Sequence, residues 1–198
     1  MRKYDIKLHG DSVKAAYVMP FMSTTSDVKV EDGTIENISA HIVQNHRGIM
    51  ISGNGDIQNG TANVHGYKLD ALTGKVGVST DEISLKNISG NINGQAVHLD
   101  GIVKTNAETP VFQLDVQAPS VDIAAVIPDR SVPVSGSVGI RARLWGTLDA
   151  PNASGTIALE SGHIQGVAVQ NSHADFSYEN ETFFVRQAAA HIAGGLVQ

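Results

Sequence analysis

Residues 66–98 and 166–198 carry the same alternation of apolar and polar side chains at an ungapped offset of 100 positions. Gly66 falls on Gly166, Leu69 on Val169, Val76 on Phe176 and Val78 on Tyr178. Further on, Ile83 falls on Phe183, Leu85 on Val185, Lys86 on Arg186, Ile92 on Ile192, Gly94 on Gly194 and Val97 on Val197. A weaker echo at half that distance sets Asn37-Ile38-Ser39 against Asn87-Ile88-Ser89, with Ile42 against Ile92. Similar units that each cover a neighbour's apolar face make a quasi-one-dimensional array. The closing Gly194-Gly195-Leu196-Val197-Gln198 falls in mid-unit without a polar cap, which reads as a piece of a longer array.

The alternation has a period of two residues. It runs through residues 4–8, 27–30, 112–116, 138–144 and 176–178, with Gly, Asn and Asp punctuating it every eight to twelve residues or so. That rhythm predicts short strands and an all-β chain. Asn59-Gly60 and Asn93-Gly94 each offer the two positive-φ residues of a type I′ hairpin turn. One short helix is expected over 121–127, opened by Ser120 and stopped by Pro128. The strands put Val, Ile, Leu and Ala on one face, and aromatics are only 5% of the chain. A one-faced sheet closes as a dry sandwich or curls into a trough. Composition alone favours the sandwich. Many similar strands without a bulky plug favour an elongated, curled antiparallel-type sheet with an open trough, and that is the fold expected here. An open apolar stripe of that length exceeds what a soluble monomer leaves bare and calls for a ligand.

Net charge and composition close off other classes. Lys+Arg 14 against Asp+Glu 20 gives −6, with no basic cluster, so neither nucleic acid nor an anionic membrane surface is an expected partner. Without cysteine there are no disulfides and no thiolate metal sites. The longest apolar run, residues 15–22, is too short to span a bilayer and contains Pro20.

Eight histidines, His9, His41, His46, His65, His98, His163, His173 and His191, form neither H-x-x-x-H nor H-E-x-x-H and read as surface residues. Gly136-Ser137-Val138-Gly139 falls one residue short of a nucleophile elbow and precedes a strand rather than a helix. Gly53-Asn54-Gly55 reads as a turn, not a phosphate loop, because neither a lysine nor a helix follows. The pairs Glu31/Asp32 and Asp81/Glu82 read as solvated strand ends. Asn37, Asn59, Asn87, Asn152 and Asn180 stand in Asn-x-Ser/Thr triplets and read as turn residues. Trp145 beside Gly146 reads as packing at a strand end. No enzyme activity, cofactor or metal is expected.

Residues 136–151 run from Gly136-Ser137-Val138-Gly139 through Trp145-Gly146-Thr147-Leu148 to Pro151, and then into Gly155-Thr156-Ile157-Ala158-Leu159 and Gly162-His163-Ile164. This rhythm of glycine, alternating apolar residues, G-T-L and proline resembles the repeats of TamB and its AsmA-like relatives in the envelope of double-membraned bacteria. Leu114-Asp115-Val116-Gln117-Ala118-Pro119-Ser120-Val121-Asp122-Ile123 is similar to the strand-then-short-helix element of that family. Phe183-Phe184-Val185-Arg186 with Gly194-Gly195-Leu196-Val197 is similar to its unit ending. The likeness is best over 112–198, which sets a unit there apart from N-terminal repeat units at 1–111. It implies a taco-like sheet that carries phospholipids between the inner and outer membranes and supports outer-membrane protein assembly. It also implies a periplasmic location, with an inner-membrane anchor and a contact to a TamA/BamA-like barrel protein in regions outside this sequence.

Phospholipid acyl chains are thus the expected ligand. The expected lining is Leu69, Val76, Val78, Ile83, Leu85, Ile92, Val97 and Leu99, with Val167, Val169, Phe176, Tyr178, Phe183, Val185, Ile192 and Leu196 in the second unit. Phe183-Phe184 leaves the local register open. The competing reading is a β-solenoid adhesin or autotransporter passenger segment, structural or saccharide-binding, and a β-rich hydrolase ranks last.

Overall fold

The computed structural model describes residues 4–18, 28–46, 48–64, 66–106, 109–126, 133–192 and 195–197. Those residues form β1 (Tyr4–Lys14), α1 (Ala15–Val18), β2 (Val28–Asn45), β3 (Gly48–Val64), β4 (Tyr67–Ser79), β5 (Glu82–Ile92) and β6 (Gln95–Lys104). They continue as β7 (Val111–Asp122), α2 (Ile123–Val126), β8 (Val134–Gly146), β9 (Pro151–Ile164), β10 (Val167–Glu179), β11 (Thr182–Ile192) and β12 (Gly195–Val197). The chain is all-β, as the period-two pattern demands. Its strands hydrogen-bond in sequence order within an open antiparallel sheet that does not close into a barrel.

Antiparallel neighbours need only tight turns, and three of them have two consecutive positive-φ residues. These are Asn93-Gly94 (49° and 80°), Gln165-Gly166 (51° and 79°) and Asn180-Glu181 (50° and 60°). Asn59-Gly60 is not a turn. It lies inside β3, where Asn59 (φ 51°) is the extra residue between the Ile57–Gly74 and Gly60–Leu72 pairs. Asn37 and Asn87 likewise sit inside β2 and β5 at φ 51° beside register shifts, and Asn152 is an ordinary residue of β9. A β-bulge and a hairpin turn both want a left-handed residue, so the same sequence signal serves either. Gly53-Asn54-Gly55 also runs within β3, Glu31 and Asp32 within β2, and Gly136 to Gly139 within β8.

Packing divides the chain into two compact units, one of residues 1–94 and 98–112 and the other of 95–97 and 113–198. In the first, β4 and β5 pair Leu69 with Ile92, Val76 with Leu85 and Val78 with Ile83. In the second, β10 and β11 pair Val169 with Ile192, Phe176 with Val185 and Tyr178 with Phe183. The two hairpins are the same hairpin 100 residues apart. A second correspondence joins β1–α1 to β7–α2 at an offset of 108. Ile6 falls on Leu114, Leu8 on Val116, Ser12 on Ser120, Val13 on Val121, Ala16 on Ala124, Val18 on Val126 and Pro20 on Pro128. The helix expected over 121–127 is α2 at Ile123–Val126, one of a pair; Val121 and Asp122 belong to β7, and Ile127 lies outside the described residues.

Little of this sheet is covered. Ala62, Ile88, Val97, Ala118, Val121, Val138, Leu159 and Val169 are the buried apolar residues among those described. The accessible surface is 12926 Å². A compact monomer of 20.9 kDa exposes about 9,000 Å², and two separate compact bodies of half that mass about 10,800 Å². The chain exposes more surface than either.

Candidate functional site: the apolar sheet face

Residues directly opposite in an antiparallel ladder share a face, so the registers sort every strand. In the first unit one face carries Tyr4, Ile6 and Leu8 of β1, Ile38, Ala40 and Ile42 of β2, and Ile51, Gly53, Gly55 and Ile57 of β3. It continues through Val76 and Val78 of β4 to Ile83 and Leu85 of β5. The opposite face carries Lys7, His41, Ser52, Asn54, Asp56, Lys75 and Lys86. The second unit repeats the division. Val138 pairs with Leu159, Ile140 with Ile157, Ala142 with Gly155 and Leu144 with Ala153, while Arg141 pairs with Thr156 and Arg143 with Ser154.

All the polar contacts that could fix a small ligand lie off the apolar face. His41 Nε2 and Asp5 Oδ1 stand 2.7 Å apart, Arg143 Nε donates to Asp115 Oδ1 at 3.0 Å, and Asn91 Nδ2 donates to Asp70 Oδ1 at 2.9 Å. These links hold the polar face to itself. The apolar face offers Gln44, Ser172 and the hydroxyls of Tyr4 and Tyr178 among its few hydrogen-bonding side chains in the paired strands, so it takes hydrocarbon more readily than it orients a polar substrate.

The face stays shallow because its large side chains lie over glycines. A Cβ on Gly55 would stand 2.5 Å from Ile35 Cγ2, and one on Gly90 would stand 2.7 Å from Leu72 Cδ2. The isoleucine and leucine therefore fold down into the space a side chain would occupy instead of standing up from the sheet.

Of the expected lining, Leu69, Val76, Val78, Ile83, Leu85 and Ile92 come together as facing pairs on β4 and β5. Val169, Phe176, Tyr178, Phe183, Val185 and Ile192 do so on β10 and β11, where the Phe176 and Phe183 rings stack with centroids 5.5 Å apart. Val167 pairs with Ile164 of β9. Val97 is buried and Leu99 half-buried, two residues apart in β6. Leu196 stands opposite His191, one position out of step with Ile192, because β12 starts its pairing at Gly195. The open register at Phe183-Phe184 resolves with Phe183 opposite Tyr178 and Phe184 opposite Ser177 on the other face. The residues missed include Ile35, Ile57, Ile140 and Leu159 outside the two aligned windows, and Leu72 and Ile88 within the first of them. Their signal was the same alternation, read strand by strand.

His9, His46, His98, His163, His173 and His191 are exposed, His41 is half-exposed, and His65 lies outside the described residues. Among the described residues no three His, Cys, Asp or Glu side chains gather as a metal site, and no helix is long and apolar enough to cross a membrane. A cavity of about 390 Å³ lies between the β8–β9 and β10–β11 connections, lined by Asp149, Ala150, Pro151, Asn152, Tyr178, Asn180 and Glu181. Compared with protein-family models, curated proteins and solved structures, the chain matches none.

Proposed function

We propose that this chain is a stretch of a TamB/AsmA-like envelope bridge, and that its apolar face carries the acyl chains of phospholipids between the inner and outer membranes of a double-membraned bacterium. Regions outside the sequence would supply the inner-membrane anchor and the contact with a barrel-assembly protein, through which the bridge supports outer-membrane protein assembly. The observation that carries the reading is an aliphatic face with few hydrogen-bonding groups that, among the described residues, has no covering layer. Exposing an acyl chain to water costs about 0.8 kcal/mol per methylene. Val76, Val78, Ile83 and Leu85 replace that water with hydrocarbon, and with no donor to fix its position a tail can slide. No bond is made or broken, so the role is non-enzymatic.

The β-solenoid alternative requires coils whose strands stack in parallel. Antiparallel hairpins with two-residue turns weigh against it.

Purified protein, extracted into organic solvent and examined by mass spectrometry, is expected to yield phospholipid. Val78→Asp and Leu85→Arg put a charge on the half-buried face and should lower the lipid recovered while far-ultraviolet circular dichroism stays unchanged. Protein that carries no lipid, or variants that unfold instead of merely losing it, would reject the reading.

A further inference from the structure

In the first unit, the last pair joining β3 to β4 at their β4–β5-turn end is Ser52 with Ser79, and the Ile51 backbone N–H already donates to Thr80 Oγ1 in that turn at 2.9 Å. Residues 48–50 of β3 run on past β4. They pair there with residues 43–45 of β2, whose other side pairs with the first residues of β1: Val43 with Asp5 and Gln44 with Tyr4. The result is a three-stranded finger.

Both of its faces carry apolar side chains, with Asp5 beside Val43 on the second. Ile49, Ile51, Tyr4 and Ile6 lie on the face that continues into the apolar sheet, and Met50 pairs with Val43 on the other. Further along β3 that second face turns polar at once, with Ser52, Asn54 and Asp56. Ile49 is 57% exposed, Met50 48% and Ile51 47%. A flat partner would cover one side of such a tip, whereas a medium that surrounds it covers both.

Charge narrows the choice of medium. Residues 37–55 contain no Asp or Glu, in a chain that has 20 in 198. The carboxylate that the finger does carry, Asp5, is held by His41 at 2.7 Å. The β10–β11 hairpin of the second unit makes the contrast: Phe183, Phe184 and Val185 are exposed there too, but Glu179 and Glu181 flank its turn. A surface of phosphates repels that hairpin, whereas the finger's single carboxylate is paired with His41.

We propose that the β1–β3 finger dips into the interfacial layer of a phospholipid bilayer, with Tyr4 at the level of the headgroups and Ile49, Met50 and Ile51 among the first carbons of the chains. Aromatic and aliphatic side chains partition to that depth, and a tyrosine keeps its hydroxyl wet. This goes beyond the acyl-chain reading and separates from it, because Met50 and Val78 belong to opposite faces of the sheet.

The test is flotation of the full chain with vesicles of phosphatidylcholine and phosphatidylglycerol. The chain should float with them. Met50→Asp should lower the ratio of bound to free protein by about tenfold or more, since it puts a charge where the thioether would enter the acyl layer. Phe184→Asp, which removes an exposed aromatic outside the finger, should float like the unaltered chain. Phospholipid recovered from purified Met50→Asp should equal that from the unaltered chain. A chain that does not float, an equal loss with Phe184→Asp, or a parallel loss of recovered lipid in Met50→Asp would each overturn the proposal.

Discussion

Gly10, Gly66 and Gly90 separate the ways in which one methyl group can be felt in this sheet. A Cβ on Gly90 would meet Leu72 Cδ2 at 2.7 Å and the Asp70 carbonyl oxygen at 2.8 Å, so Gly90→Ala must lift a leucine and shift a strand. Overpacking of that kind costs about 1–3 kcal/mol. At Gly66 nothing lies within 4 Å, but φ is +85°, and Gly66→Ala should cost about 1–2 kcal/mol through the backbone alone. Gly10 meets only Ile38 at ordinary contact distance, and Gly10→Ala should stay within about 0.5 kcal/mol. Urea unfolding midpoints rank the three. If Gly90→Ala proves as mild as Gly10→Ala, aliphatic side chains do not lie over glycines, and the account of why the face is shallow falls with them.

At the scale of the element, the bulges decide which side chains line the face. Along β5 the apolar face holds Ile83 and Leu85, odd positions, and then Gly90 and Ile92, even ones, and the phase changes at Asn87. The same change occurs at Asn59 in β3, between Ile57 and Ala62, and near Asn171 in β10, between Val169 and Phe176. One left-handed residue per strand keeps both halves of a long strand apolar on the same side. Asn87→Gly retains both the conformation and the backbone N–H that donates to Asp100 Oδ1 at 2.7 Å, so its thermal midpoint should barely move. Asn87→Val forces a branched residue to φ 51° and should cost about 1–2 kcal/mol. Equal midpoints for the two would mean that the bulge is not needed. This element also marks where the sequence was legible. The alternation in β4–β5 and β10–β11 could be read from the sequence, whereas which residues face each other is set by the strand register. Asn59-Gly60 was misread because a turn and a bulge share a local conformation; only the apolar phase, odd before and even after, tells them apart. The β1–α1 counterpart of β7–α2 stayed hidden because the two matches differ in offset, 108 against 100, and an ungapped comparison follows one offset at a time. Leu196 was placed by extending a repeat whose final pairing begins one residue later.

For the molecule as a whole, the uncovered face should appear in the heat capacity of unfolding. An unfolded chain of this mass exposes about 30,300 Å², so folding buries about 17,400 Å² here against about 21,300 Å² for a compact monomer. Ordinary domains show about 12–15 cal/mol/K per residue. The shortfall in buried area is about a fifth, and where it falls on the aliphatic face it removes the part that makes this quantity positive. Calorimetry on lipid-free protein should therefore give about 10–12 cal/mol/K per residue or less. Adding phospholipid should raise the midpoint as the mass-action argument requires, since a tail that binds the folded face has no counterpart site on the unfolded chain. The two measurements test different halves of one idea. A normal heat capacity would mean that the aliphatic side chains bury one another in solution and leave no room for a tail. A low heat capacity with a midpoint indifferent to phospholipid would mean that the face is open but meets some other apolar partner. Only the low value joined to a lipid-dependent rise fits a sheet built with one wall of a lining and completed by its cargo.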